Sequence, residues 1–128
     1  MGQRILLSCT QCNHKKEMSV GVGLMSNNPD VIASCLNADE AEVWRQLNHN
    51  QKISFFQAEQ KVFYCSHCNE LFCQLSADLT LTDGSEVTLG NKCQVCQTNL
   101  QEIDTKAKPM CPICHSGILE RKEIGLWD

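Results

Sequence analysis

The chain has few aromatic residues, few prolines and no long apolar run. Only seven of its 128 residues are Phe, Trp or Tyr, which leaves little bulk for one large core, so the fold needs other staples. No stretch is apolar for long enough to span a bilayer. The opening Met1-Gly2-Gln3-Arg4-Ile5-Leu6-Leu7 has a three-residue apolar run, far short of a signal-peptide core. Leu6 stands where a myristoylation signal requires Ser or Thr. The expectation is a cytoplasmic protein with reduced thiols. Also missing are a glycine-rich phosphate loop, a nucleophile elbow and an H-E-x-x-H helix, and no residue set reads as catalytic. Basic residues are in the minority, with eleven Lys and Arg against fifteen Asp and Glu and a formal charge of −4. They are scattered, His14-Lys15-Lys16 and Arg121-Lys122 being the only adjacent groups, which disfavours a nucleic-acid surface.

Cysteine is what the chain has in excess. Eight of its ten cysteines form four C-x-x-C pairs: Cys9/Cys12, Cys65/Cys68, Cys93/Cys96 and Cys111/Cys114. Two thiolates three positions apart on a tight turn present half of the tetrahedral soft-ligand set that Zn2+ requires, so four pairs supply two sites. A disulfide framework is the rival use of an even cysteine count, but it belongs to oxidising compartments. Structural zinc contributes about 10 kcal/mol or more per site, enough to offset a thin core. Eight bound thiolates and two Zn2+ would bring the net charge to about −8. Iron is the other metal that suits four thiolates.

Spacing bears on which pairs share a metal. Fourteen residues separate Cys96 from Cys111, enough for two short strands and a turn, and Pro112 presets the turn of the last knuckle. The sequential grouping therefore joins Cys93, Cys96, Cys111 and Cys114 in one site, and Cys9, Cys12, Cys65 and Cys68 in the other. A second grouping, in which the middle pairs share one metal across a 24-residue gap and the outer pairs another, ranks behind it because loop entropy favours short closures.

The 52 residues between Cys12 and Cys65 are too many for an unstructured loop. Asn28-Pro29-Asp30 reads as a helix start, followed by Val31, Ile32, Cys35 and Leu36 at helical spacing. A second start falls at Asn37 or Asp39, followed by Val43, Trp44 and Leu47. Two short helices, or one kinked helix, are expected over about 29–48. Extended segments are expected at 4–8, 61–64, 70–75 and 118–124, and a hairpin at 79–82 and 86–89 around Asp83-Gly84. Lys106 to Pro109 reads as a loop.

With Cys9/Cys12, Cys65/Cys68, Cys93/Cys96 and Cys111-Pro112-Ile113-Cys114, the chain resembles tandem members of the zinc-ribbon, or rubredoxin-knuckle, superfamily. Gly21-Val22-Gly23 and Gly125-Leu126-Trp127-Asp128 also make it similar to small uncharacterised bacterial double zinc-ribbon proteins. The resemblance brings metal binding with it and no catalytic activity. It departs from the family at the residue after each second cysteine, usually Gly because the backbone turns left-handed there. The occupants are Asn13, Asn69, Gln97 and His115; Asn and His tolerate that conformation best, and Gln97 fits it least.

The expected fold is α+β, with two zinc ribbons of short antiparallel strands: residues 1–87 with the helical insertion and hairpin, and residues 88–128. The expected function is a non-enzymatic, zinc-binding interaction or adaptor module for a protein partner, with two Zn2+ and no membrane association; the alternatives are a nucleic-acid-binding ribbon and an iron-binding, rubredoxin-like electron carrier. Trp44, Phe55 and Phe56 are the candidate partner contacts, although Trp44 with Val43 and Leu47 also reads as a core-facing stripe. Cys35 and Cys73 read as small buried apolar residues. His14, His67, His115 and His49 read as solvent-facing, or as supporting the ligands without binding metal.

Overall fold

The computed structural model of the chain describes residues 2–22 and 28–127. In chain order these residues form β1 (Gly2–Cys9), β2 (Lys15–Val20), α1 (Pro29–Cys35), α2 (Ala38–His49), β3 (Ile53–Cys65), β4 (Glu70–Leu81), β5 (Glu86–Leu89), β6 (Gln101–Glu102), a 3-10 turn (Thr105–Ala107) and β7 (Leu119–Trp127). The class is α+β and sheet-rich, and all named strands pair antiparallel.

The helices start where the sequence places them. Asn28 accepts from the Asp30 amide at 2.9 Å, with Pro29 at the first helical position. Asn37 accepts from the Glu40 amide at 2.8 Å, and its own side-chain amide donates to Glu40 Oε1 at 3.0 Å. The helices pack Ile32, Ala33, Leu36, Ala41 and Trp44 onto Ala58, Leu75, Ala77, Leu79 and Leu89 of β3, β4 and β5. Trp44 is fully buried, its indole N–H donates to the Pro29 carbonyl at 3.1 Å, and Phe56 meets its ring edge-on at 5.2 Å between centroids. A large side chain buried with its polar atom satisfied contributes about 2–3 kcal/mol. The core-facing reading of Trp44 therefore holds, and a contact role for it does not.

Two sheets carry the knuckles, one with strand order β2-β1-β7 and the other β5-β4-β3-β6. They share a plan. In each, a hairpin turns through a C-x-x-C knuckle (β1 to β2, β3 to β4), and a third strand following another knuckle pairs with the hairpin's first strand (β7 on β1, β6 on β3). The unit containing β3, β4 and β6 is nested inside the unit containing β1, β2 and β7. Ile5, Leu7, Met18 and Leu119 of the outer sheet pack against Val62 and Leu71 of the inner sheet, around Cys9 and Cys111. A two-way backbone bridge between Gly21 and Gln60 also joins the sheets, at 2.8 and 2.9 Å.

Several strands run further than their local pattern suggests. β4 continues through Ser76-Ala77-Asp78, residues of weak strand propensity, because it is a central strand: Ala77 pairs with Ala58 on one side and Leu89 on the other. β2 lies outside the segments expected to be extended, and β3 starts well before the expected 61–64. Of the glycine and terminal motifs, Gly21 lies at the sheet-joining bridge and Gly125-Leu126-Trp127 ends β7; Gly23 and Asp128 lie outside the described residues.

Two glycines with positive φ separate strain from collision. Gly84, in the hairpin turn, has φ +88 and open space around a notional Cβ. Gly90 has φ +89, but a Cβ there would collide with the Leu75 carbonyl, and its amide donates to the buried Glu40 Oε2 at 2.8 Å. Gly84→Ala is expected to cost about 1 kcal/mol, for the conformation alone. Gly90→Ala should cost about 3 kcal/mol or more, because backbone must also move. Urea unfolding of the metal-loaded variants compares the two, and equal costs would contradict the collision.

Candidate metal centres

Each knuckle is a tight turn that needs one left-handed residue after its second cysteine. Asn13, Asn69, Gln97 and His115 all adopt it, with φ 58, 53, 63 and 58. Gln97 is therefore accommodated like the others. Backbone amides turn inward to the sulfurs: Gln11 and Cys12 donate to Cys9 Sγ at 3.3 and 3.4 Å, and Cys68 donates to Cys65 Sγ at 3.4 Å. Such bonds favour the thiolate that a metal requires.

The eight sulfurs gather into two groups of four: Cys9, Cys12, Cys111 and Cys114, and Cys65, Cys68, Cys93 and Cys96, the sulfurs of each group lying within 4.8 Å of one another. In the outer group, Cys9 and Cys114 approach to 3.5 Å and Cys12 and Cys111 to 3.9 Å. The inner group repeats these values, with Cys65 and Cys96 at 3.5 Å and Cys68 and Cys93 at 3.9 Å. A tetrahedron of sulfurs about 2.3 Å from a central Zn2+ has edges of about 3.8 Å. Both groups therefore fit a tetrahedral tetrathiolate ion, and each could hold one metal ion.

The sequential grouping is corrected by this geometry. Cys111 and Cys114 converge on Cys9 and Cys12, and Cys93 and Cys96 on Cys65 and Cys68. The reason is strand pairing: β7 runs alongside β1 from Cys9↔Leu119 to Gly2↔Trp127 and carries the last knuckle to the first. Each ligand set draws cysteines from both sides of the boundary expected between residues 87 and 88, and the outer sheet pairs across it. The helical insertion belongs to the inner unit, packed on β3, β4 and β5.

The thiols in each set titrate unevenly. Cys96 is lowered to about 6 by the hydroxyl and amide of Thr98, and Cys114 to about 6 by the amides of Ser116 and Gly117. Cys68 is pushed up to about 12 by desolvation and by its hydrogen bonds with Cys96, Cys65 and Cys93. Cys12 also rises to about 12: the His14 amide acts to lower it but is outweighed by the Cys9 sulfur, desolvation and the remaining thiols. Four sulfurs this close do not all ionise without a cation among them. Metal binding therefore displaces protons from the sites.

Other residues support the sites without counting as ligands. Thr10 clasps the first knuckle to the fourth: its amide donates to the Ile118 carbonyl at 3.1 Å, and its hydroxyl accepts from the Ile118 amide at 3.0 Å. A Cβ on Gly117 would lie 2.5 Å from Cys9 Sγ, so only glycine fits there. Thr98 serves Cys96 as described. No local signal marked these three, because their roles depend on contacts remote in sequence or on the knuckle's own geometry. His67, His115 and His49 are exposed and His14 is partly buried; none joins the sulfur groups. Cys73 donates its thiol to the Ser19 carbonyl and has its pKa raised by burial, while Cys35 packs against the helical core. Of the candidate contact residues, Phe55 is 63% exposed and Phe56 packs on Trp44. No family model, curated protein or solved structure matches the chain.

Two predictions follow from the nested arrangement. Native mass spectrometry should show two metal ions per chain. Cys12→Ser/Cys114→Ser should retain one ion after dialysis against a mild chelator, whereas Cys12→Ser/Cys68→Ser should retain none; the reverse pattern would restore the sequential grouping. Chelation should also act unevenly, because the outer core is built around Cys9 and Cys111 while the helical core contains no ligand. Amides of 2–20 and 110–127 should lose hydrogen-exchange protection before those of α2, β4 and β5. Simultaneous loss would mean that one core cannot stand without the other.

Proposed function

We propose that the chain is a tandem zinc-ribbon protein that acts as a non-enzymatic adaptor for a protein partner, its two Zn2+ serving to fix the fold. The observation that carries this reading is that each site already assembles four thiols in tetrahedral proportion. Four cysteines fill a zinc ion's coordination shell, so the metal has no open position at which to activate water or substrate, the hallmark of a structural site. What such a scaffold offers is display of its surface. The helical insertion contains none of the eight grouped cysteines, so its exterior is free to suit a partner; Val43 on α2 is an exposed apolar side chain there, and Phe55 is another on the following strand β3. Among the described residues, no helix is long and apolar enough to cross a membrane.

Binding to single-stranded or duplex nucleic acid is expected to be weaker than about 10 µM at physiological salt, the range of non-specific contact. Affinity capture with the intact protein should instead return a protein, and Phe55→Asp should reduce its recovery while both metals stay bound. Tight, salt-sensitive nucleic-acid binding would replace the adaptor reading. A second reading, an iron-binding electron carrier, draws on the amide bonds to Cys9 and Cys65 sulfurs, which in iron centres tune the potential. Visible absorption of the natively purified protein decides it, since a ferric tetrathiolate is coloured and zinc is not.

A further inference from the structure

Cations are scattered over most of this acidic chain, but four of its eleven Lys and Arg meet in one cleft. Lys106 and Lys108, on and just beyond the 3-10 turn, share with Arg121 and Lys122 of β7 an open cleft of about 560 Å3, which Thr105 and Glu123 also line. Arg121 is fixed: its side chain is 12% exposed, its guanidinium donates to Thr105 Oγ1 at 2.9 Å and to Gln3 Oε1, and it lies 3.9 Å from Glu123 Oε1. The three lysines are exposed. Among the described residues, no carboxylate lies within ion-pairing distance of Lys106, Lys108 or Lys122. Lys61, in the neighbouring cleft, is the contrast, with Glu102 at 3.0 Å, Glu59 at 3.8 Å and Asp78 at 3.9 Å. Lys61 is neutralised there, whereas here only Arg121 has a carboxylate partner and the three lysines keep their charge in excess.

The strand that carries Arg121 and Lys122 is an edge. β7 pairs only with β1 in its sheet, and further along it Ile124 and Leu126 are exposed at 43% and 62%. An edge strand presents unpaired backbone groups that an extended chain can take up, and exposed charged side chains such as Lys122 discourage pairing with a second copy of the same edge. No aromatic side chain lines the cleft, and the Trp127 indole N–H is committed to the Val20 carbonyl at 2.8 Å. A stacking platform for bases is thus missing from the cleft, and carboxylates on a peptide suit it better.

We propose that this cleft and the free edge of β7 dock an extended acidic segment of a partner protein, its carboxylates meeting Lys106, Lys108, Lys122 and Arg121 and its apolar side chains meeting Ile124 and Leu126. The inference rests on the adaptor reading and adds the chemistry of the partner. Opposite charge would govern encounter rate and selectivity, and strand pairing with the two apolar contacts would govern residence.

The test uses the full, metal-loaded chain and a labelled peptide of about a dozen residues alternating Glu with Val or Leu, beside the same peptide with Lys for Glu and a single-stranded oligonucleotide. The acidic peptide should bind at least about tenfold more tightly than the basic one at near-physiological salt, and its amide shifts should map to 119–127. Lys106→Glu/Lys108→Glu/Lys122→Glu should lose at least about tenfold in affinity with both metals retained, whereas the same charge change at Lys15, Lys52 and Lys92 should stay within about twofold. Equal loss in both triple variants, or no preference for the acidic peptide, overturns the proposal. So does self-association of the first variant with unchanged peptide affinity, since the lysines would then only guard the edge. Capture of the same natural protein by wild type and first variant alike overturns the docking site while leaving the adaptor reading standing. Oligonucleotide binding tighter than peptide binding, and lost in the first variant, overturns both.

Discussion

The pairing of β1 with β7 brings Cys9 and Cys12 to Cys111 and Cys114, and the nesting of the two units follows from it. Loop entropy works against this closure, but weakly. With loops of 24 and 98 residues in place of 52 and 14, the logarithmic dependence on length makes the nested grouping costlier by only about 1 kcal/mol. Against that stand eight strand registers between β1 and β7, the Thr10–Ile118 clasp and the burial of Leu119 beside Ile5 and Leu7. Closing the inner loop first also shortens the path the outer one must close. The preference for short loops is real, but too shallow to choose between groupings when one of them completes a sheet.

The two units differ in what supports them. In the outer one Cys9 and Cys111 are themselves core residues, so the candidate metal site and the apolar packing are one structure. In the inner one, α1 and α2 supply a separate core over β3, β4 and β5. Glu40 joins that core to the inner sulfur group: it sits at the start of α2 with its carboxylate buried on the amide of Gly90, three residues before Cys93. The helical insertion thus braces a knuckle as well as presenting a surface.

Local chemistry was readable where a few neighbouring residues decide the outcome. The C-x-x-C pairs, the caps at Asn28 and Asn37 and the turn at Asp83-Gly84 are of this kind, and each lies where its residues suggest. Adjacent Phe55 and Phe56 divide between solvent and core as alternation on a strand requires. Illegible features were those set by remote partners. Ser76-Ala77-Asp78 becomes strand because β3 and β5 flank it, and Lys15–Val20 because β1 lies beside it. The fourth knuckle's partner could not be read from Cys111 and its surroundings, because the pairing of Leu119–Trp127 with Gly2–Cys9 leaves no mark in either segment alone.

Nesting also sets an order of events during synthesis. As the chain leaves the ribosome, Cys9 and Cys12 emerge first and must wait for the last knuckle, while the inner four cysteines are complete once Cys96 has emerged. For that interval the nascent protein carries one complete set of four thiols and one open pair. The last-made knuckle thus decides when the first-made one is sealed.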